Sequence, residues 1–163
     1  MGNVRVYGAT SGYTELAPPA VAPDGVLSLP SGTGTIAKDK ESSTSSILTQ
    51  QTTTSTSYTD LATVGPAVTI TTGTKALVTI NTELYGGAGF SQAMSYAVSG
   101  ATTIAANDNL AIENTGVNQI AVCQTFLVTG LTAGSNVFTA KYRVSAGTGV
   151  YQFRRITVVD MGS

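Results

Sequence analysis

Hydrophobic and polar positions alternate along most of this chain, and the clearest instance lies near its C-terminus. Asn136, Phe138, Ala140, Tyr142 and Val144 fall on one side of a period-two pattern, with Val137, Thr139, Lys141 and Arg143 on the other. That alternation predicts a half-buried antiparallel strand. Turn formers in residues 129–135 and 145–149 bracket it, so residues 126–159 read as three strands joined by two consecutive hairpins.

The same period recurs upstream. Val64, Pro66, Val68 and Ile70 share one face, and beyond the turn at Thr72-Gly73-Thr74 the residues Ala76, Val78, Ile80, Thr82 and Leu84 point inward against Lys75, Thr79, Asn81 and Glu83. Met94, Tyr96 and Val98 mark another strand. Residues 101–104 read as a short one, Asn107-Asp108-Asn109 as an Asx-rich turn, Leu110 and Ile112 as inward-facing, and residues 120–128 as a longer apolar run. In all, about eight strands follow one another at about 8–12 residues with turn signals between them. This is the pattern of an all-β fold, a jelly-roll-like antiparallel β-sandwich. An immunoglobulin-type sandwich is the second architecture, though the chain has no Trp and one Cys, so its usual core markers are missing.

Before this knob, expected over residues 57–163, the pattern breaks down. Residues 1–30 hold short apolar segments interrupted by Gly8, Gly12, Pro18, Pro19, Pro23 and Gly25, which predicts an extended arm lying along another surface rather than within a sheet of its own. Residues 31–56 are rich in Ser, Thr and Gly and read as a tether, since they bury too little apolar area to offset the entropy of ordering. Ile47 and Leu48 interrupt it, either as a docking point or as a short connecting strand.

Composition narrows the function. At 163 residues there is room for one domain with an extension, and 42% hydrophobic content is enough for its core. Only 10% of residues are charged and the net charge is -1, so no field recruits nucleic acid or another polyanion. No stretch approaches the about 20 apolar residues of a membrane helix and no secretory leader opens the chain, which predicts a soluble protein made in a cytoplasm. The glycine after Met1 does not make a myristoylation signal, because Val6 stands where Ser or Thr is needed.

Candidate chemistry is sparse. With no His, triads and His-ligated zinc are excluded, and the single Cys123, in the run Ile120-Ala121-Val122-Cys123, reads as a small buried hydrophobe. Asp60, Glu83, Asp108, Glu113 and Asp160 sit at outward or turn positions, so a catalytic carboxylate pair is not expected. Asn107-Asp108-Asn109 lacks the spacing of a calcium loop, and the glycines of residues 85–90 match no phosphate loop. No catalytic residue, metal or cofactor is therefore assigned. Two features invite a binding role. Tyr85 and Phe90, with Tyr151 and Phe153 read on one face of the last strand, are candidates for a glycan platform or for core and subunit contacts. Arg154 and Arg155 are adjacent, so one of them must point with the apolar residues, a conflict that an edge, a bulge or an inter-subunit ion pair to Glu83 or Glu113 resolves.

The segment Val6-Tyr7-Gly8-Ala9-Thr10-Ser11-Gly12-Tyr13-Thr14-Glu15-Leu16-Ala17-Pro18-Pro19-Ala20, continuing into Gly25-Val26-Leu27-Ser28-Leu29-Pro30, resembles a stretch recurring in surface proteins of tailed bacteriophages. The knob resembles a second phage module through Ser57-Tyr58-Thr59-Asp60-Leu61, Val68-Thr69-Ile70-Thr71-Thr72-Gly73, Met94-Ser95-Tyr96-Ala97-Val98-Ser99-Gly100 and Leu131-Thr132-Ala133-Gly134-Ser135-Asn136-Val137-Phe138-Thr139-Ala140-Lys141-Tyr142-Arg143. Both occur in head decoration (cement) proteins and in tail or head fibres. The resemblance implies a non-enzymatic virion structural protein, commonly a homotrimer, on the outer capsid surface. Its partner would be the major capsid protein, gripped by an arm through Val4, Val6, Tyr7, Tyr13, Leu16, Val26, Leu27 and Leu29. Fibres carry the module at the end of a longer shaft, so a chain of this size with its own Met1 favours decoration. The alternative is a fibre tip that binds a host receptor or glycan.

Overall fold

A computed structural model describes Val4–Tyr7, Tyr13–Leu16 and residues 40–162. The chain divides into two compact units, Met1–Ile36 and Ala37–Ser163. In the first, β1 (Val4–Tyr7) and β2 (Tyr13–Leu16) pair antiparallel, from Val4 opposite Leu16 to Tyr7 opposite Tyr13. The arm was expected to have no sheet of its own, and this ribbon corrects that. Each segment is too short to stand alone, but pairing satisfies one edge of each backbone. The arm positions Val26, Leu27 and Leu29 lie outside the described residues.

The second unit holds β3 (Ser42–Ile47), β4 (Gln51–Thr53), β5 (Ala67–Thr72), β6 (Lys75–Tyr85), β7 (Gln92–Gly100), β8 (Ile112–Asn114), β9 (Ile120–Thr129), β10 (Gly134–Val144) and β11 (Gly149–Gly162). One sheet runs β5-β10-β7-β8 and the other β3-β11-β6-β9, with β4 also paired to β11. Taken as one interrupted strand, β3 and β4 make the first of eight; the sheets then read 1-8-3-6 and 2-7-4-5. That is the winding of a jelly roll. Among the described residues the only helix is one 3₁₀ turn, Asp108–Leu110, capped by the Asn107 side chain, which accepts from Asn109 N at 3.0 Å.

The alternation read from the sequence sets the core. Ala76, Val78, Ile80 and Leu84 of β6 are buried against Phe138, Ala140 and Tyr142 of β10, with Met94, Tyr96 and Val98 of β7 and Ile156 and Val158 of β11. Asn136 shares this buried face because its amide is fully engaged: Nδ2 donates to Thr72 Oγ1 at 2.9 Å and to Thr132 O at 3.1 Å, while Oδ1 accepts from Thr102 N at 2.8 Å. Gly73, between β5 and β6, passes so close to Gly162 that a Cβ there would meet its backbone at 2.5 Å, and Gly73 N donates to Asp160 Oδ1 at 2.8 Å. No side chain fits at that crossing.

Four expectations are corrected here. Residues 42–53 are not tether but the first strand, laid along β11 from Arg154 opposite Ile47 to Val159 opposite Ser42. A long partner strand supplies the ladder that a Ser/Thr sequence cannot announce by hydrophobicity. Next, β9, β10 and β11 are not consecutive hairpins: each turn carries the chain to the opposite sheet, and β10 pairs with β5 and β7 instead. Val64 is 62% exposed rather than inward, because it precedes the reversal at Gly65 (φ +90°) and Pro66 that starts β5. Finally, Cys123 is exposed. It faces outward on β9, opposite Asn81 of β6.

Candidate functional site

The adjacent arginines of β11 mark the most unusual part of the sandwich. The register of β11 against β6 shifts between Gln152 and Arg155, and Phe153 takes a left-handed φ of 50°. This bulge turns Arg154 inward and Arg155 outward. Thr82 Oγ1, buried on β6, donates to the Gln152 carbonyl that the bulge frees, at 2.9 Å. Arg154 is fully buried; its Nη2 donates to Thr49 O at 3.2 Å and to Gln51 Oε1 at 3.0 Å, and its guanidinium lies 5.4 Å from the Tyr142 ring centre. Nε and Nη1 have no hydrogen-bond partner among the described residues. Its only direct side-chain acceptor there is an amide, so Arg154 fastens the break between β3 and β4 to the core.

The candidate aromatics do not form one platform. Tyr151 is in the core, edge-on to Tyr142 at 5.0 Å between ring centres, with its hydroxyl donating to Arg143 O and its pKa raised by burial. Phe153, one bulge further on, is 47% exposed on the opposite side of the strand. Phe90 packs against its own loop and the β10–β11 turn: a Cβ at Gly87 or Gly147 would meet its ring at 2.6 or 2.7 Å. Tyr85 follows Leu84 on β6, with the outward positions. The bulge moves the reading frame of the faces by one residue, which no periodicity count across residues 151–153 anticipates.

Four of the five candidate carboxylates, all but Glu113, are engaged in structural contacts. Asp60 accepts from Lys141 Nζ at 2.7 and 2.8 Å. Asp108 accepts from Tyr58 Oη at 2.8 Å and from Arg143 Nε and Nη2 at 3.0 and 2.9 Å, with Arg143 stacked 5.4 Å from the Tyr58 ring centre. Those donors, Tyr58 first, hold the Asp108 carboxyl below its ordinary pKa. Burial, and after it the bond to Asp108, push the Tyr58 hydroxyl up. Glu83 accepts from Gln152 at 2.9 Å and from Gln119. Glu113 is exposed on β8, in the other sheet from Glu83. Among the described residues no three metal-ligating side chains converge.

What remains is a surface. On the outward face of the β9-β6-β11-β3 sheet, register sets residues in straight rows: Leu127, Leu77 and Val159; Thr125, Thr79, Thr157 and Thr44; Cys123, Asn81, Arg155 and Ser46. Thr79 and Thr125 hydroxyls meet at 2.8 Å, and Thr44 and Thr157 hydroxyls at 2.5 Å. An open groove of about 390 Å³ lies beside the bulge, lined among others by Asn81, Glu83, Cys123, Phe153 and Arg155. A second, of about 410 Å³, lies along residues of β3 and β5 and is lined mostly by Ser and Thr. Of the candidate residues, Phe153 and Arg155 meet at the first groove, whereas Phe90, Tyr151 and Arg154 do not line it. Leu77, Leu127 and Val159 were not anticipated, because strand order, invisible in the sequence, is what aligns them.

The two sheets define an all-β protein of jelly-roll type. Among solved structures, the chain is similar to VP2 of infectious bursal disease virus in a subviral particle, with a TM-score of 0.51 and 12% identity over 95% of this chain and 41% of that one. Particles derived from infectious bursal virus with T=1 geometry give a TM-score of 0.49 at 13% identity, covering 96% and 40%. The chain spans about two-fifths of the length of those neighbours, and the likeness is one of fold. No protein-family model matches the sequence, and no curated protein matches it either.

Proposed function

We propose that this chain is a non-enzymatic virion structural protein, a decoration or cement protein that binds the outer head surface of a tailed bacteriophage and stabilises the shell. The observation that carries this reading is the division of the chain into a jelly roll and a separate N-terminal unit holding the β1–β2 ribbon. A two-stranded ribbon has two outer edges, and each offers backbone donors and acceptors to a strand of another protein. The arm attaches to the major capsid protein by such strand addition, with Val4, Val6, Tyr7, Tyr13 and Leu16 supplying side chains. A fold shared with a virus particle protein, and carboxylates occupied by structural partners, support the same reading. Three arms on a homotrimer raise the effective concentration of the second and third contacts, so attachment strengthens without a new interface.

Deletion of residues 1–36 tests this by co-sedimentation with capsids. The shortened protein should keep its circular dichroism spectrum and melting temperature and fail to pellet with capsids. Pelleting at the full-length level would overturn the assignment.

A further inference from the structure

β9 has an anomaly that a monomer does not explain. Ten residues long, it pairs among the described residues only with β6, which leaves its other edge without a described partner strand. Its outward residues Ala121, Cys123, Thr125 and Leu127 are exposed, and on the inward side Ile120 and Gln124 are exposed as well, with Val122 and Phe126 half-buried. No Asp, Glu, Lys or Arg occurs between Glu113 and Lys141. Natural edge strands are blunted by charge, proline or a bulge, and β9 has none of these. The apolar row Leu127-Leu77-Val159 and the threonine row extend the uncharged surface from this edge across the sheet.

We infer that β9 and the adjoining outward face of its sheet are the surface through which copies of this chain associate. The occupant is a second copy, and for three chains the contact runs head to tail, the β9 edge of one meeting the outward sheet face of the next. The middle rows of this surface carry no charge, and Lys75 at one end with Glu83 and Arg155 at the other present both signs, so neither an acidic nor a basic partner is selected. Its size also fits. Four strands about 4.8 Å apart and nine residues of β6 at about 3.4 Å each span about 19 by 30 Å, close to 600 Å² in projection. The overhanging inner side of β9 brings this toward the roughly 800 Å² per partner of a stable interface. The inference rests on the decoration reading only for its trimer stoichiometry; the surface itself stands on the geometry of β9.

Cys123 provides the readout, since it is the only cysteine and lies on this face. The full-length protein should show the mass of three chains by light scattering. Its maleimide labelling should be at least about tenfold slower than in Leu127→Glu, which should run as a monomer, because labelling of a covered thiol waits for the interface to open. Leu127 is 60% exposed, so the change does not disturb the protomer core, and Thr125→Lys should act in the same direction. Val64→Glu, at a position 62% exposed outside this face, should leave mass and labelling unchanged. A monomeric wild-type protein with a freely reactive Cys123 would overturn the inference, as would wild-type mass and protection in Leu127→Glu. Deleting residues 1–36 separates the two readings: lost capsid binding with retained trimer mass upholds both, whereas lost trimer mass places self-association in the arm and refutes the role of β9.

Discussion

β9 and β10 are neighbours in sequence, similar in length and both rich in apolar residues, yet they are buried in opposite ways. On β10, every second residue from Asn136 to Val144 is buried, between two partner strands and beneath the facing sheet. On β9, Val128 alone is fully buried and the rest stand open on one or both faces. Periodicity reports which residues share a face, whereas burial depends on what lies across from that face and beside the strand. β10 is central and β9 is an edge, and their apolar content does not tell them apart.

The largest effect that sharpens this contrast is expected from truncating one phenylalanine in each. Phe138→Ala should lower unfolding free energy by about 3–5 kcal/mol, as for a fully buried ring, and Phe126→Ala, half-buried on the overhanging strand, by about 1 kcal/mol. Denaturant titration of the monomeric Leu127→Glu background makes the comparison without assembly. Equal losses would break it.

Arg154 comes next. Arg154→Ala empties a large buried site and should cost about 2–4 kcal/mol. Arg154→Met fills most of that volume without leaving polar groups of its own unpaired, so its loss should be less than half as large. Thermal melts of both variants read this directly; a methionine variant as unstable as the alanine one would show that the bonds to Thr49 and Gln51 dominate.

Much of the fold was legible because inward positions on β6, β7 and β10 follow period two without interruption. What escaped did so for identifiable reasons. Ser42–Ile47 holds little apolar area, so its membership of the sheet depends on the ladder offered by β11. Turn residues in 129–135 and 145–149 were read correctly as reversals, but a reversal does not say which sheet the next strand joins. At the candidate surface, the arginine pair left an edge, a bulge and an inter-subunit ion pair open, of which the register shift shows the bulge, and Phe153 and Arg155 were named beforehand. The rows of Leu and Thr were not, since they exist only once β9, β6 and β11 are placed side by side.

The smallest expected effect is on acid stability. Asp108 is held below its ordinary pKa by Tyr58 and Arg143; at Asp160 burial acts in the other direction but is outweighed by the Gly73 and Gly162 amides. Both groups therefore contribute stability that is present above the unfolded value of about 3.9 and is lost as pH falls through their lower folded values. Melting temperature should fall below about pH 4, and the fall should be shallower in Asp160→Asn. An unchanged acid slope in that variant would remove Asp160 from the account.

The central claim, that this protein decorates a phage head, is tested most directly by gold-labelled antibody against the jelly roll on intact virions. Label spread over the whole head surface is the predicted result. Label confined to the tail tip would contradict it and make the chain a fibre component, with the groove at Phe153 and Arg155 facing the host.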